Sequence, residues 1–145
     1  MTGLVGTHRY QLDDKGRIPL PVRLREAFAG GGMFTLGYDR CVWAYPAGEY
    51  ERRAAEFQSL PISDEGARAV ARLFFANSEE LSMDKTGRMP VPSRLREKAG
   101  IGREVVVVGA YDRLEIWDRA EWERLEAEHE PAYLAGTLAP GGRQG

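Results

Sequence analysis

Short runs of alternating apolar and polar residues, each broken by a Gly-containing turn, predict a chain rich in β-strands. Residues 7–12 and 78–83 show partial alternation, and apolar positions resume beyond each turn, at 18–20 and 89–91. A period of two places successive side chains on opposite faces of a strand. These segments therefore predict two β-hairpins, each opening a larger unit.

A second pair of strands is predicted downstream of each hairpin. Residues 33–36 and 41–45 form one candidate pair, and residues 105–108 and 114–117 form the other. The four valines at 105–108 are all β-branched, which is typical of a buried strand. The two units therefore share the same order of predicted strands.

Helices are predicted after each strand pair and between the units. Residues 47–58 and 119–130 show helical character, and Pro21 and Pro92 suit the first position of two shorter helices. Between the units, Ser63 can cap a further helix. Its apolar residues recur at helical spacing: Ala67, Val70, Ala71, Phe74 and Phe75. This amphipathic helix is expected to pack against a repeat or a neighbouring subunit.

One 14-residue segment occurs twice, at 13–26 (DDKGRIPLPVRLRE) and at 84–97 (DKTGRMPVPSRLRE), 71 residues apart. Nine of the 14 aligned positions are identical, which indicates an internal duplication. Each copy contains an Asp-x-x-Gly-Arg turn. The predicted organisation is a first repeat at 7–58, a helical connector at 59–77, a second repeat at 78–130 and a flexible tail at 131–145.

Charge is distributed unevenly along this net-acidic chain, whose formal charge is -2. Residues 9–25 carry five cationic side chains against two aspartates, whereas residues 115–130 carry seven acidic side chains against two arginines. The five cations are Arg9, Lys15, Arg17, Arg23 and Arg25. A local cationic face is therefore compatible with a negative total.

Few side chains suit catalysis or metal binding. His8 and His129 are the only histidines, Cys41 is the only cysteine, and the glycines at 30–32 lack the Lys-Ser/Thr of a phosphate-binding loop. We expect no enzyme activity, no cofactor and no metal site. The single cysteine fits a reducing cytosol, and no segment approaches the ~18 apolar residues of a membrane span.

Two interpretations of the turns remain open. In the structural one, Asp13 and Asp84, with Gly16 and Gly87, shape the turns, and Arg17 pairs with Asp13. In the functional one, a solvent-facing arginine presents its planar fork to phosphate or to a guanine edge. A solvated face, phosphate contact and intersubunit ion pairs are all compatible with the four helix arginines, Arg23, Arg25, Arg94 and Arg96.

These features together resemble the MraZ family, a bacterial group with two repeats of the SpoVT/AbrB type. The resemblance covers about residues 3–130. The matching pieces are the two turns with Pro19 and Arg23-Leu24-Arg25-Glu26, Tyr45-Pro46 with Glu49-Tyr50, Arg72-Leu73-Phe74-Phe75 and Glu115-Ile116-Trp117-Asp118.

The resemblance implies an α+β, β-rich fold: a pseudo-twofold, swapped-hairpin, AbrB-like β-barrel from two tandem repeats, with short flanking helices. It implies a sequence-specific DNA-binding regulator acting on the promoter of a cell-division and cell-wall gene cluster. The partners would be double-stranded DNA with direct repeats and further copies of the chain in a ring-like homo-oligomer. Such a protein would be cytoplasmic and nucleoid-associated, without a membrane partner.

By the same resemblance, Lys15, Arg17, Lys85 and Arg88 contact DNA at the turns. The chain's other candidate DNA-binding residues are Arg9, Arg23 and Arg94. The first turn departs from the simplest pattern through Asp14, so the two turns are expected to contribute unequally. The alternative is an AbrB-like protein-interaction or antitoxin-type module, which a short, partly apolar tail after residue 130 disfavours.

Overall fold

The computed structural model describes residues 3–141, and within that range the chain forms an α+β fold of eight strands and five helices. The strands are β1 (Thr7–Gln11), β2 (Arg17–Pro19), β3 (Gly32–Leu36), β4 (Val42–Pro46), β5 (Glu79–Leu81), β6 (Arg88–Pro90), β7 (Glu104–Gly109) and β8 (Leu114–Asp118). The helices are α1 (Val22–Glu26), α2 (Ala47–Gln58), α3 (Glu65–Ala76), α4 (Ser93–Ala99) and α5 (Arg119–Leu134).

Six of the strands form one antiparallel sheet in the order β1-β7-β8-β4-β3-β5. The other two, β2 and β6, pair with each other in a separate two-stranded ribbon. This order is symmetric if the two repeats are exchanged. Strand β1 of the first repeat pairs with β7 of the second, and β5 of the second pairs with β3 of the first. Each repeat therefore completes the sheet of the other.

The expected local hairpins are wrong in their pairing. Strand β1 pairs with β7 instead of β2, because alternation defines the faces of a strand but not its partner. Within each repeat, a backbone hydrogen bond spans the turn, but the strands on its two sides do not pair. In the first repeat Asp13 N–H donates to Arg17 C=O at 3.2 Å, and in the second Asp84 N–H donates to Arg88 C=O at 2.9 Å. Nor do the described strands close into a barrel, since β1 and β5 are the edges of the sheet.

Both faces of the sheet are covered at its centre, where β4 has four consecutive buried residues and β7 has three. On one face, Val42 and Ala44 join a core that includes Ile18 and Met89 from the β2–β6 ribbon. On the other face, Trp43 and the helices α2, α3 and α5 build an aromatic core. The ribbon and its two turns therefore rest on one side of the sheet, opposite the three long helices.

Two helix ends differ from the sequence-based expectation. Helix α3 is capped by Asp64, whose carboxylate accepts the Ala67 N–H at 2.7 Å, so Ser63 is not the cap. Helix α5 continues to Leu134, four residues past the expected end of the second repeat. The last part of the expected flexible tail, residues 142–145, lies outside the described residues. Over residues 3–141, no helix has the length and apolar character needed to cross a membrane.

Candidate nucleic-acid interface

The first Asp-x-x-Gly-Arg turn (turn 1, residues 13–17) is organised by the Asp13 carboxylate. Its Oδ1 accepts the backbone N–H groups of Lys15 and Arg17, both at 2.9 Å. Gly16 N–H donates to Asp13 C=O at 2.9 Å, and Gly16 has a φ of 74°, which favours glycine. These local bonds explain the spacing of Asp and Gly in the motif.

The second turn (turn 2, residues 84–88) repeats this arrangement with one addition. Asp84 Oδ1 accepts the backbone N–H groups of Thr86 at 2.9 Å and Arg88 at 2.8 Å, and also the Thr86 hydroxyl at 3.0 Å. Gly87 has a φ of 80°. Turn 1 has Lys15 where turn 2 has Thr86, so it lacks this extra hydroxyl bond.

Both aspartates are held in their charged form by these bonds. The backbone N–H of Arg17 is the main cause of a lowered pKa at Asp13. The backbone N–H of Arg88, followed by bonds from Thr86, lowers the pKa of Asp84 to about 2. Both carboxylates are therefore ionised near neutral pH.

Turns 1 and 2 meet in a four-residue charge cluster of Asp13, Arg17, Asp84 and Arg88. Arg17 Nε donates to Asp13 Oδ2 at 2.7 Å, and its Nη1 lies 3.6 Å from Asp84 Oδ2. Arg88 Nε donates to Asp84 Oδ2 at 2.9 Å, and its Nη1 lies 3.5 Å from Asp13 Oδ2. Each arginine thus links its own turn to that of the other repeat.

The charge cluster bears on the two interpretations of the turn arginines. The Arg17 and Arg88 side chains are 23% and 35% exposed, so neither guanidinium is a free solvent-facing fork. The ion pair between Arg17 and Asp13, which the structural interpretation expects, is present. DNA contact by these arginines stays a prediction, since both retain exposed surface.

Lys15 and Lys85 are the exposed cations of the two turns, and within residues 3–141 neither enters a salt bridge. The other candidate DNA-binding residues differ in their surroundings. Arg23 is exposed on α1. Arg9 lies 3.6 Å from a Glu123 carboxylate oxygen, and Arg94 lies 3.6 Å from one of Glu79. Arg9 and Arg94 therefore already have acidic partners.

Two of the four helix arginines, for which the sequence left several roles open, lie against the turns. Arg96 packs on Gly16 and Arg25 packs on Gly87, and both side chains are half-buried. Each contact joins a helix of one repeat to the turn of the other. Local spacing could not reveal these contacts; the Arg-Leu-Arg sequence in both copies was the only available signal.

The turns and these two arginines form a continuous group that we call the paired-turn surface. It contains six cationic side chains and three carboxylates. The cations are Lys15, Arg17, Arg25, Lys85, Arg88 and Arg96, and the carboxylates are Asp13, Asp14 and Asp84. The surface is therefore net cationic in a chain whose total formal charge is -2, and it can attract a polyanion.

The Glu-Ile-Trp-Asp segment on β8 serves the aromatic core. Glu115 Oε2 accepts hydrogen bonds from Trp43 Nε1 at 3.0 Å and Arg113 Nη2 at 2.8 Å, and Glu115 Oε1 accepts one from Trp117 Nε1 at 3.1 Å. The Arg113 guanidinium lies over the Trp43 ring at 4.8 Å. In the part of the chain that the structure describes, no group of His, Cys, Asp and Glu side chains is arranged to hold a metal ion.

Comparison with known proteins gives a consistent result. A family described as "MraZ protein, putative antitoxin-like" matches residues 4–73 and again residues 74–135. The chain is 44% identical over 126 residues to a protein of Salinispora arenicola named "Transcriptional regulator MraZ", covering 87% of this chain and 89% of that protein. A protein of the same name from Thermobifida fusca is 40% identical over 139 residues, covering 94% and 97%.

Proposed function

This chain belongs to the MraZ family, and we propose that it is a sequence-specific DNA-binding transcriptional regulator that contacts DNA through its paired-turn surface. The observation that carries this proposal is the joining of two turns, one from each repeat, into a single net-cationic surface. The relatives named transcriptional regulators support it.

The residues of this surface suit two kinds of DNA contact. Lys15 and Lys85 are exposed point charges that can neutralise phosphates, which supplies most of the affinity of DNA-binding proteins. Arg17 and Arg88 are held by aspartates in fixed orientations through Nε and Nη1, and the remaining Nη2 of each can donate to a phosphate or a base edge. The lysines would therefore provide affinity, and the arginines would provide orientation and sequence readout.

The target that we propose is a set of direct repeats in the promoter of a cell-division and cell-wall gene cluster. This choice follows from the family to which the chain belongs. A regulator of such a promoter would be cytoplasmic and nucleoid-associated. Direct repeats suit a protein that presents several identical surfaces in one orientation, because linked contacts raise the effective concentration of each further contact.

We propose that the several surfaces come from a ring-like homo-oligomer. Helix α3 leaves Val70 and Leu73 42% and 62% exposed beside a cavity of about 230 Å³, which Tyr38 and Phe57 also line. Phe74 is buried and stacks on Phe57 at 4.1 Å, so this part of α3 packs against the first repeat, which is one of the two packings expected for the helix. The exposed apolar face of α3 can pack against a different face of the next subunit, as a ring requires.

A protein-interaction or antitoxin-type role is the second candidate function. The same exposed face of α3 favours it, because an apolar surface beside a cavity can also bind a different protein. Recovery of a stoichiometric protein partner from cells, without enrichment of DNA, would support this role over the DNA-binding one.

The proposed function is tested by DNA binding at matched salt. The chain should bind DNA from the region upstream of its own gene more tightly than a scrambled sequence, and Arg17→Ala should sharply weaken that binding while preserving the oligomer. Arg52→Ala is the matched control, because Arg52 is exposed on α2 and paired with Glu49. Equal DNA affinity of Arg17→Ala and wild type would show that Arg17 does not contact DNA.

A further inference from the structure

Two arginines pack across the boundary between the repeats, each against a glycine. A Cβ atom at Gly16 would lie 2.6 Å from Arg96 Nη2 and 2.9 Å from its Cζ. A Cβ atom at Gly87 would lie 2.7 Å from Arg25 Cδ and 2.9 Å from its Cζ. Real Cβ atoms do not approach so closely, so a side chain at either glycine would displace the arginine that now packs on it.

Turn 1 is also hydrogen-bonded to the second repeat. Gly16 C=O accepts the Val91 N–H at 2.9 Å, and Val91 C=O accepts Arg96 Nε–H at 3.0 Å. Arg25 has a different environment, because its Nε is buried without a hydrogen-bond partner among the described residues. Arg96 is therefore anchored by packing and a hydrogen bond, whereas Arg25 holds turn 2 by packing.

We propose that Arg25 and Arg96 are positioning residues, each of which holds the turn of the opposite repeat in the conformation that meets DNA. This inference rests on the proposed function. A glycine turn closed by a few local bonds can open, and a covering side chain restricts that opening before DNA arrives. Each DNA-contacting turn then depends on both repeats, so neither repeat is a self-sufficient DNA-binding unit.

The positioning role is tested first without DNA, by amide hydrogen exchange measured by NMR on the full chain. Arg96→Ala should raise exchange at Gly16 and Val91, by roughly tenfold for the loss of one hydrogen bond and its packing, and leave Gly87 unchanged. Arg25→Ala should raise exchange at Gly87 instead. Lys98→Ala, which removes an exposed cation from α4, is the control and should change neither turn. A uniform rise along the chain, or unchanged turns, would overturn the proposal.

The second arm measures DNA affinity for variants that retain the charge. Arg96→Lys and Arg25→Lys keep a cation but lose the planar group, so both should still weaken binding and still loosen the opposite turn. If the lysine variants bound DNA as tightly as wild type, the positive charge alone would account for the role of these residues, as in a simple phosphate contact. That result would overturn the positioning role. If the wild-type chain binds no DNA, the proposed function fails, and the exchange experiment still decides whether the arginines hold the turns.

Discussion

Removing the two exposed lysines of the paired-turn surface should weaken DNA binding without changing the fold. Lys15 and Lys85 are exposed, and within residues 3–141 neither forms a salt bridge. The backbone N–H of residue 15 donates to Asp13 whatever side chain that residue carries. The double variant Lys15→Ala, Lys85→Ala should therefore keep both turns and the oligomer, and lose phosphate contacts alone.

The magnitude follows from the release of counterions. Each phosphate contact changes the slope of log K against log salt by about 0.9, so loss of two contacts should lower its magnitude by about 1.8 per engaged subunit. Between about 50 and 200 mM salt, the wild type should then lose about 12-fold more affinity than the double variant.

Fluorescence anisotropy on labelled DNA from the upstream region, measured at several salt concentrations, gives this slope directly. Lys98→Ala removes one exposed cation from α4 and should leave the slope unchanged. A double variant with the wild-type slope would refute phosphate contact by the turn lysines. An equal effect of Lys98→Ala would show a general charge effect in place of a defined contact.

Three further predictions concern the turns, the ribbon and the oligomer. The pKa of Asp84 is about 2, below its ordinary value of 3.8, so the stability that its charged form provides is complete above about pH 4 and is lost towards pH 2. Between these pH values, the free energy of unfolding in urea should fall more steeply for wild type than for Asp84→Asn. An equal fall for the two proteins would contradict this. Met89→Ala removes a fully buried side chain opposite Ile18 and should lower the free energy of unfolding by about 2–5 kcal/mol, where a loss below about 1 kcal/mol would be inconsistent with its burial. Leu73→Asp should reduce the mass in light scattering with unchanged circular dichroism, and an unchanged mass would exclude α3 from the interface.

The sequence was informative where structure depends on neighbouring residues. The duplicated turns, the strand pairs and the helices after them follow from local periodicity, and the Asp and Gly positions of each turn have the expected hydrogen bonds and φ angles. The resemblance to the MraZ family is confirmed by matches to both halves of the chain. Local chemistry also has limits: Ser63 and Asp64 can both cap α3, and only the structure shows that Asp64 does.

Features that join the two repeats could not be predicted from either repeat alone. The pairing of β1 with β7 replaces the expected hairpin because the partner lies in the other copy. Arg17 looked solvent-facing in its own turn, yet Asp84 of the second turn lies 3.6 Å from it. The packing of Arg25 and Arg96 on distant glycines has the same origin. Duplication indicated that two turns exist, but not that they meet.

If DNA contacts both turns at once, hydrogen-exchange mass spectrometry of the full chain should detect that contact when its upstream DNA is added. We expect slower exchange at residues 13–17 and 84–88 in the complex. We expect no change along α5, whose charge is predominantly acidic. Protection confined to α5 or α3, with exchange at both turns unchanged, would mean that DNA does not bind at the turns.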